Sequence, residues 1–355
     1  MLSANRWMRG LVGAGAIALL STSVVGQGQG KWLNLAPFPE PSQEILGTAA
    51  GGKVYVFGGL GLANNEPPKG IVWVYDEATD KWAKKKRMPL PAHHVAVVEH
   101  GGKIYLFAGG AQAEPGGMNW VPIDNAWEYN PVADTWRALP PVPTPRVSPV
   151  AALVGNKIYV LGGASVHPGQ KLVDISRAGG APHRAVPTNE VFDLTTQKWE
   201  TRSPMPTARD HAAVGVVNGK VYVLGGRVGS VNVTASPTDV VEEYDPATDR
   251  WGVAKARMPL PRSGTAYGVY NNKIFVAGGE YLDNDIVGTF RDFEAYDPAT
   301  DSWTAYPPMA MPRHGLVGGV MGHRFYLVSG HLQSAGIHGG LMDSDETNAF
   351  DFRAK

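Results

Sequence analysis

Six times along the chain a basic residue opens an unbroken apolar run that ends in small residues. These are KVYVFGG from Lys53, KIYLFAGG from Lys103, KIYVLGG from Lys157, KVYVLGG from Lys220, KIFVAGG from Lys273 and RFYLVSG from Arg324. Four or five consecutive Val, Ile, Leu, Phe or Tyr residues with no polar alternation predict a short strand covered on both faces. The small residues that follow predict a chain exit where a Cβ would obstruct. Ahead of each run lies a second apolar stretch, such as HAAVGVV at 211–217, joined to it by Asn218-Gly219, a strong hairpin signal. A third pattern runs from an aromatic through Asp or Asn and a turn to Trp: YDEATDKW from Tyr75, YNPVADTW from Tyr129, FDLTTQKW from Phe192, YDPATDRW from Tyr244 and YDPATDSW from Tyr296. Asp or Asn followed by Pro fits a type I turn, so each octapeptide predicts the bend between a third strand and a fourth.

Four antiparallel strands repeated about every 50 residues predict an all-β protein, a six-bladed β-propeller. The intervals from each Trp to the next basic anchor are 21, 21, 21, 21, 22 and 21. Trp32 is therefore a repeat position placed at the front of the chain, while the last copy, NAFDF, lacks its Trp. One blade is divided between the two ends, and a strand near Trp32 is expected to pair beside Thr347 to Phe352. Such closure removes two exposed sheet edges.

Composition adds to this picture in three places. Gly 44 and Pro 28 make about a fifth of the chain, which fits many turns rather than long helices. Cys 0 excludes disulfides, thiolate metal sites and cysteine nucleophiles. Residues 1–26 place Arg6 and Arg9 before an apolar run from Leu11 and end in small residues, the layout of a signal peptide cleaved after Gly26. The expected mature domain is then 27–355, periplasmic or extracellular, with no membrane span. Without Arg6 and Arg9 the balance is 30 basic against 32 acidic residues, a net of −2, which gives no electrostatic reason to expect nucleic acid.

The diglycine with its spaced Tyr and Trp resembles the Kelch repeat, and the resemblance covers nearly everything from Gln27 to Lys355. Departures are Ser329 for the first glycine, Phe192 for Tyr, and the missing final Trp. The resemblance implies a binding propeller, expected to be a monomer. Kelch-like enzymes set limits on a catalytic reading. The copper radical oxidase relative needs a tyrosine cross-linked to cysteine, which this chain cannot form. The nitrile-specifier relatives need a Glu-xxx-Asp-xxx-His iron motif, which it lacks. The periplasmic sialic acid mutarotase resembles it in architecture alone, and a cofactor-free sugar mutarotase is the alternative that this likeness implies.

Intervals from each anchor to the next Trp vary, at 29, 33, 42, 31 and 30, so diversity collects in the loops between second and third strands. A constant scaffold with diverse loops on one face is how binding surfaces are commonly built. On that face, eleven positions before each anchor, stand Ser42, Ala92, Arg146, Arg209, Arg262 and Arg313, followed two positions later by Glu44, His94, Ser148, His211, Gly264 and Gly315. With Arg227, Glu280 and His331 beyond the glycines, the candidate ligand-binding set is Arg146, Arg209, Arg262, Arg313, His94, His211, Arg227, Glu280 and His331. Guanidinium groups suit carboxylates, so the expected ligand is a glycan, an anionic small molecule or a protein, without cofactor or metal. The same arginines have a structural reading, in which each ties together carbonyls of neighbouring blades. Strand alternation sets Asp210 and His211 on opposite faces, so no Asp–His pair is expected there. His331 and His338 with Asp343, Asp345 and Glu346 match no specific metal spacing, and Glu280, Asp283 and Asp285 lack a full calcium-loop pattern. The long loop 164–187 and the sequon Asn232-Val233-Thr234 complete the candidates.

Overall fold

A computed structural model describes residues 28–60, 67–112, 114–115, 117, 120–166, 183–229, 236–283, 286–334 and 342–354. Six four-stranded antiparallel sheets stand around one axis, and no helix occurs among the described residues. Accordingly, none of them is in a helix long and apolar enough to cross a membrane. The signal-peptide residues 1–26, His338, Asp285, the sequon and most of the long loop lie outside the described residues.

Blade one runs outward through Ile45–Ala50, Lys53–Gly58, Ile71–Asp76 and Lys81–Lys84. Blades two to five repeat it, with inner strands Ala96–His100, Val150–Val154, Ala213–Val217 and Ala266–Tyr270. Blade six takes Val317–Met321, Arg324–Val328 and Thr347–Asp351 from the end of the chain and its outer strand, Lys31–Asn34, from the beginning. In that closing pair Trp32 stands opposite Phe350, the place the interval count assigned to it.

The apolar runs are buried on both faces because the core lies between blades, not on the axis. In the second strand of blade one, Val54 and Val56 pack against Val317, Tyr326 and Val328 of blade six. Tyr55 and Phe57 pack the other way, against Ile104, Leu106 and Tyr129 of blade two. Four further clusters fill the remaining junctions. Each strand is thus shared by two cores.

The octapeptide supplies the polar half of each junction. Every repeat Trp donates its indole N–H to a carbonyl just beyond the outer strand of the preceding blade: Trp82 to Ala36, Trp136 to Lys86, Trp199 to Pro140, Trp251 to Ser203, Trp303 to Ala256 and Trp32 to Pro307, at 2.8–3.1 Å. The Asp five residues after Tyr accepts the phenol at 2.6 Å in Tyr75–Asp80, Tyr129–Asp134, Tyr244–Asp249 and Tyr296–Asp301. The same carboxylates accept backbone amides of the preceding blade, at Ala36, Lys86, Ser203 and Ala256. In FDLTTQKW the phenol and its acceptor are missing together, since Phe192 is followed by Gln197. That departure costs no buried hydroxyl its partner.

Two outcomes follow from these contacts. Trp32→Ala removes the indole packed on Phe293 and Phe350 and its bond to Pro307, and is expected to cost roughly 2 kcal/mol, read from urea unfolding. The Tyr75 hydroxyl and the Ala36 amide hold the Asp80 carboxyl below its ordinary value. At Asp134 and Asp249 burial pushes upward, but the phenols and amides outweigh it. Depressed carboxylates stabilise the fold above their unfolded pKa of about 3.9 and cease to as they protonate. The contribution of these carboxylates to the melting temperature should therefore stay level from pH 7 to 5 and fall below about pH 4, so the difference between the native chain and Asp80→Asn should shrink below about pH 4.

Candidate functional site

The turn entering each inner strand carries one residue in the left-handed region: Glu44, His94, Ser148, His211, Gly264 and Gly315, with φ between 52° and 63°. Around the axis the amide of each, from His94 onward, donates to the carbonyl of its predecessor, and Ile45 closes the circle onto Gly315, at 2.9–3.4 Å. This handedness turns the side chains of Glu44, His94, Ser148 and His211 into a small axial cavity of about 40 Å³, also lined by Thr265 and Tyr267. Directly below, the inner strands leave an apolar channel of about 330 Å³, walled by Val97, Ala151, Val214, Val269 and Val320 and again touching Tyr267.

A buried polar network surrounds the cavity. Glu44 Oε2 lies 2.8 Å from His94 Nε2, and Glu44 Oε1 lies 3.5 Å from His314 Nε2, which is 3.6 Å from Glu280 Oε2. Ser334 donates to that Glu280 oxygen at 2.6 Å. Asp210 Oδ1 contacts His211 Nδ1 and accepts Arg227 Nε–H at 3.0 Å, while Arg227 Nη1 lies 3.8 Å from Glu280. The Ser148 hydroxyl is 3.1 Å from His211 Nε2. His93 and His94 meet through their Nδ1 atoms, and Trp120 packs on both rings at 4.8 and 4.6 Å.

Opposing charges set the protonation of this set against burial. Burial would push Glu44 upward, but His94 and His314 hold its carboxyl well below the usual carboxylate range. Burial likewise opposes ionisation of Asp210, yet Arg227 and His211 bring it to about 2. At His314 burial is outweighed by Glu280 and Glu44, and the imidazole is pushed up to about 9. His94 goes the other way: burial lowers it despite Glu44.

Of the sequence candidates, the structure brings together His94, His211, Arg227 and Glu280, with His331 at the margin. The His331 ring stands 5.8 Å from that of His314, and its Nδ1 is 2.8 Å from Asp343. Arg146, Arg209, Arg262 and Arg313 are not in the cavity. All four are at most 1% exposed, each drawn back into its own blade. Arg146 donates to the Val160 carbonyl and Glu190, Arg209 to the Val223 and Val240 carbonyls and Glu242, Arg262 to Glu294, and Arg313 to the Ser329 and Glu346 carbonyls and Asn348. Neighbouring blades are joined instead by the arginine backbone, whose carbonyls at 146, 209, 262 and 313 accept from Gly109, Gly163, Gly226 and Gly279. In three blades the first glycine keeps this approach open: a Cβ on Gly162, Gly225 or Gly278 would sit 2.4, 2.8 or 2.5 Å from the carbonyl oxygen of Arg209, Arg262 or Arg313.

The opposite-faces expectation for Asp210 and His211 is overturned. Alternation holds for extended backbone, and His211 has φ 52°, so both side chains reach the same side. His93 and His314 were missed as members of the network, and Asp210 and Asp343 were weighed and set aside. The histidine pairs His93-His94 and His314…His331 were the available signal. Glu280 turns inward, whereas Asp283 caps its own hairpin by accepting the Ile286 amide.

The variable loops stand on the same side as the cavity. After the glycines four blades extend into two-stranded hairpins: Gly110–Ala111 with Val121–Pro122, Ala164–Val166 with His183–Ala185, Arg227–Val228 with Ser236–Pro237, and Glu280–Leu282 with Val287–Thr289. Neighbours touch. The Ala185 amide donates to Gly229, and the Thr289 hydroxyl to Leu332 of blade six, each at 2.9 Å. The result is a raised collar around the axis.

Comparison with known proteins agrees with this geometry. Residues 47–89 and 91–143 match the Kelch motif, and residues 179–330 match the KLHDC2/KLHL20/DRC7 Kelch-repeats domain. Among similar curated proteins are Kelch-like protein terF of Aspergillus terreus, 31% identical over 55% of this chain and 40% of that protein, and Beta-scruin of Limulus polyphemus, 29% identical over 65% and 24%. Kelch-like protein 15 of Danio rerio is 30% identical over 53% of this chain and 31% of its own. The matched region thus spans only a quarter to two fifths of these relatives' lengths. The chain belongs to the Kelch-repeat family.

Removing one member of a buried ion pair strands the other. Asp210→Ala leaves Arg227 without its nearest counter-charge, and Arg146→Ala leaves Glu190 buried. Each is expected to lower stability by about 3–5 kcal/mol in urea unfolding. The partly exposed pair Arg202–Glu200, cut by Glu200→Ala, should cost at most about 1 kcal/mol.

Proposed function

We propose that this chain is an exported propeller that binds a protein partner through its hairpin collar. Kelch propellers generally bind protein partners, and this one is built with a constant ring and one elaborated face. The observation that carries the reading is the collar itself. Four hairpins of different length lean on one another and hold Ile286, 60% exposed, and Val287, 38% exposed, in the solvent. Apolar side chains on a braced loop tip suit the desolvated centre of a protein interface.

A sugar ligand in the axial cavity is less well supported, because about 40 Å³ holds a few waters or one ion and small-molecule pockets usually start near 300 Å³. The mutarotase reading, which needs a sugar ring beside an acid–base pair, is less well supported, because the titratable groups line the small axial cavity while the roomier channel below is walled mainly by apolar residues. Export is proposed from the leader pattern of residues 1–26.

A photo-reactive amino acid placed at 286, in the cells that make the protein, should give a discrete protein adduct that the same label at Val132, 94% exposed on an outer turn, does not give. Matching adducts at both positions, or none, would remove the collar as the binding face. Glycan-array binding that survives Ile286→Asp would replace the protein partner with a carbohydrate. Intact mass of the envelope or secreted fraction should show a chain beginning at Gln27; a full-length chain confined to the cytosol would end the export reading.

A further inference from the structure

We propose that the axial cavity is a site for one divalent transition metal of the zinc class, with His94 Nε2, His211 Nε2 and a Glu44 carboxylate oxygen as its protein ligands. One ligand atom from each residue can be chosen so that all three lie within 4.8 Å of one another. Zinc binds imidazole nitrogen and carboxylate oxygen at about 2.0–2.2 Å, so tetrahedral ligands stand roughly 3.4 Å apart. Small rotations of the three side chains close that gap. Two histidines with one carboxylate are a ligand set common to zinc and its first-row neighbours, with a further position left for water or substrate.

The second layer is in place. Metal-bound histidines usually engage their other ring nitrogen with a carboxylate, carbonyl or further side chain, which fixes tautomer and orientation. Here Asp210 contacts His211 Nδ1, and His93 contacts His94 Nδ1, so Nε2 is the nitrogen each ring presents to the cavity. Trp120 against the His94 ring holds its plane. Arg227 Nη2 is nearly equidistant from the two nitrogens of His211, at 3.1 and 3.2 Å, which puts the guanidinium over the ring face and leaves the in-plane lone pair of Nε2 clear of it. The Ser148 hydroxyl, 3.1 Å from that nitrogen, is placed to turn and bond a metal-bound water.

Two independent features point to a cation rather than a self-contained network. His94 Nε2 is fully buried, yet among the described residues it makes no aligned hydrogen bond, although the Glu44 oxygen is only 2.8 Å away. A ring nitrogen and a carboxylate oxygen facing each other out of line are arranged as two ligands aimed at a third atom. Three buried carboxylates, Glu44, Asp210 and Glu280, also face only two counter-groups, the Arg227 guanidinium and the His314 imidazole. A bound dication offsets that excess of negative charge.

The test uses the full chain, stripped with EDTA, dialysed and titrated with Zn²⁺ by calorimetry and with Co²⁺ by visible absorption. The expected result is one equivalent of either ion, intense ligand-field bands of four- or five-coordinate Co²⁺, and a Zn²⁺-dependent rise in melting temperature. ¹⁵N spectra of the imidazoles should show the Nε2 resonances of two histidines shifting on adding Zn²⁺. His94→Gln and Glu44→Gln should each weaken binding at least a hundredfold. A Co²⁺ spectrum that stays that of the hydrated ion beside stoichiometric protein would overturn the proposal, as would undiminished binding by either folded variant. Should both variants fail to fold, the Co²⁺ and ¹⁵N spectra of the native chain decide alone: movement of histidine resonances supports the site, and their constancy refutes it.

Discussion

Everything in this molecule rests on six inner strands being brought to one axis, and the backbone meets that demand with a left-handed turn in every blade. Six residues at φ near +55°, joined amide to carbonyl, form a continuous belt at the mouth of the channel. For Glu44, His94, Ser148 and His211 the conformation is uncommon and costs energy that the surrounding packing must offset. The same turn that lets the strands converge also aims the side chains inward. A constraint of closure thereby concentrates polar chemistry at the axis.

Around that belt the load divides between apolar and polar contacts by radius. Close to the axis, arginine backbones accept from glycine amides of the neighbouring blade, an approach that a glycine keeps open in three of the blades. Midway, the double-faced second strands fill the junctions with Val, Ile, Tyr and Phe. At the perimeter the indoles and the Tyr–Asp pairs fasten each blade to the one before. With no cysteine in the chain, these three layers do the work that cross-links do in many exported domains.

The ring was legible in the sequence because its constraints are local and repeated. A Trp 21 residues ahead of a basic anchor, or a glycine where a carbonyl passes, leaves its mark in every copy, so even the split blade could be assigned from Trp32. The candidate site was only half legible. Its members His94, His211, Arg227 and Glu280 stood out by position, but how they meet did not. The arginines at 146, 209, 262 and 313 could be read as ligands or, with somewhat more weight, as struts, since one sequence position does not say which way a long side chain folds back. The Asp210–His211 contact was misjudged because the alternation rule assumes extended backbone, and a single left-handed residue cancels it. His314 stands ten positions before Arg324, the repeat position of His93 and Asp210, a mark left unread; Asp343 carried no periodic mark, and tertiary packing alone brings it to His331.

The closing pair in blade six has a mechanical side. Lys31 stands beside Asp351 and Asn34 beside Asn348, so the two ends of the described chain leave the sheet from the same corner. Tension between Gly28 and Ala354 would part those strands like a zipper, one rung after another, instead of shearing all rungs together. A ring hard to melt can then be easy to unfasten by hand, and pulling by a motor or a moving surface would find its weakest point at the seam.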